Sequence, residues 1–210
     1  MKLPRFYPIV DTDAALRRGV DPLLAAREIL TAGAGVLQLR HKGFWSRETL
    51  TMAEAVATEA ARVGAMFVVN DRADFARLLN AALHLGQDDL GPVDARRVLH
   101  AGTVVGFSTH NEAQLLAAQG EPVDYVALGP MFGTSSKENP DPVVGVAELR
   151  SLRGLTGRPL VAIGGITRAN ALEALAAGAD SVAVIGDVLP EDLRIGARVE
   201  EWLRLTEGGQ

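Results

Sequence analysis

The chain has 210 residues and a net charge of −5, and 48% of its residues are hydrophobic. This length fits one domain with a sizeable core, and the mixed charges lack the clustered basic face that nucleic-acid binding needs. The lack of cysteine excludes disulfides and thiolate chemistry, and no apolar run reaches the length of a membrane span.

Short apolar segments typical of buried strands alternate along the chain with amphipathic segments typical of helices. The predicted strands span residues 6–10, 35–40, 66–69, 82–85, 103–107, 124–128, 159–163 and 181–185. The predicted helices span residues 22–32, 46–63, 75–79, 92–100, 111–120, 142–152 and 167–177, with a last one around 202–205. Ser46, Asn111 and Thr167 are predicted to cap their helices, and Pro22 and Pro92 to begin theirs.

Eight strand–helix units without a linker predict one α/β domain over residues 1–206, followed by a frayed tail at 207–210. Near-continuous apolar strands are typical of a parallel sheet buried on both faces, and eight of them predict a closed (βα)8 TIM barrel. Pro8 is tolerable if it lies near the end of the first strand. The alternative is an open, doubly wound sheet. That fold requires a glycine fingerprint after strand one, where Asp11-Thr12-Asp13 stands instead.

Two acidic residues follow neighbouring predicted strands, at the barrel end that builds the active site. Asp71 follows strand three and Asp89 follows strand four. Two carboxylates at one site repel unless a cation lies between them, and hard oxygen ligands suit Mg²⁺ completed by substrate phosphate. Helix capping is the alternative for either aspartate alone. The apolar residues between them are spaced like one face of a short helix: Phe75, Ala76, Leu78 and Leu79.

Strand two ends in polar residues that share one face of an extended segment, namely Gln38, Arg40 and Lys42. A guanidinium and an ammonium facing the barrel mouth suit phosphate oxygens. A solvated surface pair is the alternative.

A second set of residues favours binding of a monophosphate. The loop 129–142 contains glycines, hydroxyls and one cation, although surface loops often have this composition. Glycine turns follow strands seven and eight at Gly164-Gly165 and Gly186, where barrels of this type often cradle phosphate with backbone amides. An enzyme that joins a diphosphate ester to a phosphorylated nucleophile would need both anion sites.

Six motifs, in chain order, resemble those of the thiamine phosphate synthase family. They are Gln-Leu-Arg-His-Lys (38–42), Val-Asn-Asp-Arg (69–72), His-Leu-Gly-Gln-Asp-Asp-Leu (84–90), Gly-Phe-Ser-Thr-His (106–110), Gly-Pro-Met-Phe-Gly-Thr-Ser-Ser-Lys (129–137) and Ala-Ile-Gly-Gly-Ile (162–166). The resemblance covers nearly the whole chain. It implies a (βα)8 barrel enzyme that joins hydroxymethylpyrimidine diphosphate to thiazole phosphate, giving thiamine phosphate and pyrophosphate.

The resemblance also implies a role for each matching residue. Asp71 and Asp89 would hold Mg²⁺ on the diphosphate. The residues that would contact the diphosphate and act in catalysis are Arg40, Lys42, Ser108 and Lys137. The residues that would face the aminopyrimidine are Gln38, Asn70 and His84. The thiazole phosphate would be bound by Thr134 and Ser136 and by the amides of Gly165, Ile185 and Gly186.

Two positions depart from the family pattern. Gly186 stands where the family often has serine, so a hydroxyl donor is lost, and Gly133 stands where proline is usual. One alternative function is a thiazole tautomerase, for which His110 would be a candidate residue. The other is a phosphate-ligand-binding relative without turnover. We expect a cytoplasmic protein with small-molecule substrates and no nucleic-acid or membrane partner, and a homo-oligomer stays open.

Overall fold

Each strand pairs in parallel with the next, and the eighth pairs with the first, so the sheet closes into a barrel. The computed structural model describes residues 1–133 and 142–208. The strands are β1 (Phe6–Asp11), β2 (Val36–Arg40), β3 (Met66–Asn70), β4 (Ala82–Leu85), β5 (Val105–Thr109), β6 (Tyr125–Leu128), β7 (Leu160–Ile163) and β8 (Ser181–Val184). This closed order confirms the predicted TIM barrel and rules out the open sheet.

Helices cover the outside of the barrel. The α-helices within the described residues are α1 (Thr12–Arg17), α2 (Pro22–Thr31), α3 (Arg47–Val63), α4 (Ala73–Leu78), α5 (Pro92–Val98), α6 (Glu112–Ala117), α7 (Gly145–Leu152), α8 (Ala171–Ala176) and α9 (Ile195–Glu207). In the described ranges, none of these helices has the length and apolar composition needed to cross a membrane. The sequence did not predict α1, and Glu207 belongs to α9 rather than to a frayed tail.

Two separate apolar clusters form the core. Side chains from alternate strand positions fill the barrel interior, and Tyr7 and Tyr125 are the largest of them. A much bigger cluster lies between the strands and the helices, where Phe6 stacks on Trp202 of α9 with 5.1 Å between ring centroids. Inward side chains therefore fill the interior, as expected for a barrel of eight strands.

Most strand boundaries agree with the sequence prediction to within one residue at each end. The exception is strand five, which was predicted at 103–107 and forms at Val105–Thr109. The Asp124 carboxylate accepts the Val105 N–H at 2.8 Å and so fixes the start of β5. The shift places Ser108 within the strand instead of after it.

Pro8 lies in the middle of β1, and the expectation that it falls near a strand end was wrong. Pairing of β1 with β2 begins only at Ile9. The Val182 N–H donates to the Arg5 carbonyl, so by alternation residues 5, 7 and 9 bond to β8. The missing N–H of Pro8 therefore faces β2 just before that ladder starts, where no strand hydrogen bond is lost.

Two of the three predicted helix caps form. The Ser46 hydroxyl accepts the Thr49 N–H at 3.2 Å, and the Asn111 side-chain oxygen Oδ1 accepts the Gln114 N–H at 2.9 Å. The cap predicted at Thr167 is wrong, because α8 begins only at Ala171. Instead the Asn170 side chain accepts the Thr167 N–H at 2.8 Å, which stabilises a turn before the helix.

The apolar face predicted for the short helix α4 is only partly correct. Phe75 and Ala76 are buried and Leu79 packs against the core, but the Leu78 side chain is 69% exposed. At 3.6 residues per turn, Leu78 lies about 100° from the centre of the stripe formed by the other three. Four of the five residues from 75 to 79 are apolar, so the sequence pattern could not show which of the four faces solvent.

Candidate active site

The carboxyl ends of β1 to β5 bring most of the predicted residues together at one mouth of the barrel. Asn70 of β3 aligns with His84 of β4, and His84 aligns with Gly106 of β5. Arg40 aligns with Asp11 of β1. The predicted site residues Thr134, Ser136 and Lys137 lie outside the described residues, so their assignments stay predictions.

The two predicted cations of this mouth that the structure describes are each held by a carboxylate. The Arg40 guanidinium donates to Asp11, and the Lys42 ammonium donates to Asp71. Asp11 is 4% exposed, and its other oxygen accepts the Ala14 N–H at 2.8 Å, which caps α1. Asp11 was not among the site residues predicted from the sequence. Its position at the carboxyl end of β1 was the available signal, since strand ends build the site in this fold.

Asp71 is the conformational outlier of the site. Its φ of 66° lies in the left-handed region, which is uncommon for residues other than glycine, although aspartate enters it more readily than most. Its N–H donates to the His84 carbonyl at 2.8 Å, so the pairing of β3 with β4 holds this backbone in place. Strained backbone of this kind concentrates at functional positions, where the surrounding structure enforces it.

The Asp71 and Asp89 carboxyls interact directly. Burial and a hydrogen bond with Asp89 raise the pKa of Asp71 to about 6, although Lys42 opposes the shift. Burial alone would raise the pKa of Asp89, but hydrogen bonds with Asp71 and the Gly86 amide and the charge of Lys42 lower it. Below about pH 6, the pair therefore holds one proton, because two neighbouring carboxylates disfavour double ionisation.

This donor set fits a hard divalent cation. Carboxylate oxygens suit Mg²⁺, which takes one or two of them and completes its shell with water and substrate phosphate. Within the described residues, no group of three or more His, Cys, Asp or Glu side chains could hold a metal by itself. The two aspartates would thus supply part of a shell and leave the remaining positions to the substrate.

A chain of buried hydrogen bonds crosses the barrel interior below these charges. The Gln38 amide donates to Tyr7 Oη, which bonds to Tyr125 Oη, each at 2.9 Å. Tyr125 Oη bonds to His84 Nδ1, and His84 Nε2 bonds to Ser108 Oγ, again at 2.9 Å. We call these five residues the lumen chain. It joins three predicted site residues through the only two tyrosines of the sequence, neither of which the sequence analysis identified.

The titratable groups of the lumen chain are neutral at physiological pH. Burial raises the pKa of Tyr7 to about 12 and that of Tyr125 well above its usual value, so both hydroxyls stay protonated. Burial lowers the pKa of His84 to about 4, so its ring is neutral at physiological pH. Gln38 donates to Tyr7. Which group donates in each of the other three bonds depends on which ring nitrogen of His84 carries the proton.

The buried neutral state of His84 predicts a pH-dependent stability. An unfolded histidine takes up a proton as the pH falls through 6.5, whereas folded His84 resists protonation down to about 4. Stability is therefore lost as the pH falls between these values. From about pH 7 to about pH 4.5, urea unfolding should show the wild-type chain losing roughly 2 kcal/mol more than His84→Gln. Parallel pH curves for the two proteins would contradict a neutral buried ring.

Asn70 carries an unused donor at the top of the lumen. Its side chain is 6% exposed, and its Nδ2 has no hydrogen-bond partner among the described residues. A buried amide without a partner costs stability, so such groups are rare unless a ligand completes them. This observation agrees with the predicted role of Asn70 in binding substrate.

The glycine turn after β7 is required by packing. Gly164 and Gly165 have φ values of 93° and 67°. A Cβ on Gly165 would lie 2.5 Å from the Gly133 carbonyl oxygen and 2.8 Å from the Phe132 carbonyl carbon. Close approach of the loop after β6 thus explains this glycine, whereas the sequence analysis attributed it to phosphate binding. The binding role of the Gly165, Ile185 and Gly186 amides stays a prediction.

His110, the candidate residue of the tautomerase alternative, lies against the loop after β6. Its Nδ1 bonds to the Gly129 carbonyl at 2.7 Å, and its backbone N–H donates to Gln114 at 2.8 Å. The first bond ties the end of β5 to the loop that follows β6, and the second connects His110 to α6. These contacts give His110 a structural role. The Asp71–Asp89 pair also disfavours the tautomerase alternative, because that reaction needs no diphosphate site.

Comparison with known proteins agrees with this geometry. The family model described as thiamine monophosphate synthase matches residues 6–188. A thiamine-phosphate synthase of Koribacter versatilis is 46% identical, covering 98% of this chain and 97% of the relative. One of Methanoculleus marisnigri is 43% identical, covering 90% of each. The solved thiamine phosphate pyrophosphorylase of Pyrococcus furiosus superposes with a TM-score of 0.84 at 29% identity, covering 98% and 96% of the two chains. The chain therefore belongs to the thiamine monophosphate synthase family of enzymes.

Proposed function

We propose that this enzyme joins 4-amino-5-hydroxymethyl-2-methylpyrimidine diphosphate to 4-methyl-5-(2-hydroxyethyl)thiazole phosphate, giving thiamine phosphate and pyrophosphate. The observation that carries the proposal is the placement of two unlike environments next to each other. Asp71, Asp89 and Lys42 form a charged rim, and the neutral, buried groups of Asn70 and His84 lie directly beside it. One substrate with a diphosphate at one end and an uncharged ring at the other would match both.

The rim has too little positive charge to neutralise a diphosphate by itself, which is why the proposal includes a divalent cation. Among the described residues, Arg40 and Lys42 are each matched by a carboxylate, and Asp89 adds a third acid. A diphosphate would therefore meet a surface without net positive charge. Mg²⁺ bound by Asp71 and Asp89 would neutralise the diphosphate and stabilise it as a leaving group. The residues are suited to this cofactor through their hard oxygen donors.

The protein groups then act on the leaving oxygens and on the ring. The bond between the benzyl-like carbon and oxygen breaks, and its electron pair leaves with pyrophosphate. Arg40 and Lys42 would stabilise the charge that builds on those oxygens. The thiazole nitrogen supplies the electron pair of the new carbon–nitrogen bond, so no protein nucleophile or base is needed.

The neutral lumen chain suits the positive charge that develops on the aminopyrimidine. His84 is kept uncharged by burial, and both tyrosines stay protonated, so the pocket adds no positive charge of its own. A protonated histidine there would oppose a cation-like transition state. Gln38, Asn70 and Ser108 would orient the ring through hydrogen bonds while leaving its charge unopposed.

A product assay tests the proposal. The purified chain is mixed with both substrates and Mg²⁺, and thiamine phosphate and pyrophosphate are quantified. We expect equimolar products, complete loss with excess EDTA, and recovery when Mg²⁺ is added back. Failure to form thiamine phosphate would overturn the transferase proposal. Turnover that survives EDTA would overturn the metal assignment alone.

A further inference from the structure

Arg18 lies at the barrel mouth, on the side opposite the acidic pair. It follows α1 directly, and its Nη1 donates to the Gly186 carbonyl at 2.8 Å. This bond connects the segment after β1 to the turn after β8. Arg18 is exposed in spite of the contact, so its guanidinium is open to solvent at the mouth.

The charge of Arg18 is not neutralised by a neighbouring acid. None of the ion pairs formed within residues 1–133 and 142–208 includes Arg18, unlike Arg40 and Lys42 at the same mouth. The acid next to its contact point is Asp187. That carboxylate is held by Arg168 at 3.0 Å and by Arg198 at 3.5 Å. The positive charge of Arg18 therefore remains available to an anion.

The guanidinium also borders open space beside Gly186. A Cβ placed on Gly186 would have Arg18 Nη2 as its nearest neighbour, at 3.8 Å. An arginine has five N–H donors in a planar fork, and the described contacts of Arg18 use only one of them. The remaining donors thus lie next to the turn whose backbone amide is predicted to bind phosphate.

We propose that Arg18 is a binding residue for the phosphate monoester of the thiazole substrate, acting together with the Gly186 amide. This inference rests on the proposed function and adds a residue to it. Arginine binds phosphate oxygens through charge-assisted, often bidentate hydrogen bonds. The contact with the Gly186 carbonyl would hold the side chain in place before the ligand arrives, which lowers the entropy cost of binding.

Substitutions at Arg18 separate the effect of its charge from the effect of its hydrogen bond to the Gly186 carbonyl. Arg18→Ala removes both, whereas Arg18→Gln can keep a donor for the Gly186 carbonyl but loses the charge. Both variants should raise the KM for thiazole phosphate about tenfold to a hundredfold, while the KM for the pyrimidine diphosphate stays near that of wild type. Arg18→Lys keeps a positive charge, so its KM should fall between those of the two variants and that of the wild type. The matched control is Arg17→Ala, which removes an exposed arginine of α1 and should behave like wild type.

Calorimetric titration with thiazole phosphate, and with the corresponding unphosphorylated alcohol, distinguishes the outcomes. We expect Arg18→Ala and Arg18→Gln to lose affinity for the phosphate ester but not for the alcohol. Wild-type affinity in Arg18→Gln, or equal losses for ester and alcohol, would overturn a phosphate-binding role. A wild-type chain that binds the ester through Arg18 but makes no thiamine phosphate would overturn the proposed function alone. A wild-type chain that makes product, with unchanged KM in both variants, would overturn the Arg18 assignment alone.

Discussion

The Asp89→Asn variant is expected to lose about a hundredfold in turnover and to need at least tenfold more Mg²⁺ for half-maximal activity. The change is isosteric, and the new amide oxygen can still accept the Gly86 N–H that Asp89 accepts at 2.7 Å. Local structure should therefore survive. What is lost is one negative charge beside Asp71, and with it a strong oxygen ligand for the cation.

Steady-state rates measured across a Mg²⁺ series, at saturating concentrations of both substrates, check this expectation. Asp88→Asn is the matched control, since it makes the same chemical change at an exposed neighbouring position. If Asp89 only orders its own loop through Gly86, Asn will preserve that hydrogen bond and both variants will match the wild type. That result would remove Asp89 from the metal site.

The fold could be predicted because its signals are local. A strand buried on both faces is apolar over four or five consecutive residues, and an outer helix repeats its apolar positions every three or four. The rim of the site was predictable for a related reason. Parallel strands end at the same edge, so the polar residues that follow them, such as Asp71 and Asp89, must lie near each other.

The lumen chain and the Arg18 contact could not be predicted in this way, because the partners are far apart in sequence. Tyr7 and Tyr125 are 118 residues apart, and Arg18 and Gly186 are 168 apart. Each tyrosine, read in its own strand, is simply a large apolar residue. Only the closed barrel, which places β1 and β6 across one interior, shows that their hydroxyls meet.

Local sequence patterns also gave an incomplete account of two turns. Thr167 has the side chain of a helix cap, yet Asn170 takes its N–H and delays the helix. The binding role of Gly165 stays a prediction, and the backbone of Phe132 and Gly133 gives a separate reason for the glycine, because it leaves no room for a side chain. In each case the local structure depends on a contact with another residue, and the local sequence pattern does not take that contact into account.

The Gly106→Ala variant is expected to destabilise the chain by roughly 3 kcal/mol, through overpacking of the barrel interior. Gly106 pairs with Tyr125 across β5 and β6. A Cβ on Gly106 would lie 2.0 Å from Tyr125 Cζ and 2.4 Å from its hydroxyl oxygen. Because Tyr125 is fully buried, its ring cannot swing into solvent and must displace its neighbours. We therefore also expect the hydrogen bond between Tyr125 and His84 to break. His84 would then lose its orientation, and the turnover rate should fall.

Urea unfolding of a double-variant cycle tests whether that specific contact is the cause. Tyr125→Leu removes the ring atoms that the new methyl group would meet, so Gly106→Ala should cost less than about 1 kcal/mol in that background. Gly120→Ala is the control, since a Cβ there meets nothing within 4 Å. Additive effects of the two substitutions would show that Gly106 is not coupled to Tyr125. A strongly non-additive cycle would mean that the smallest residue of β5 keeps open the position that the lumen chain needs, so one glycine controls both packing and the orientation of His84.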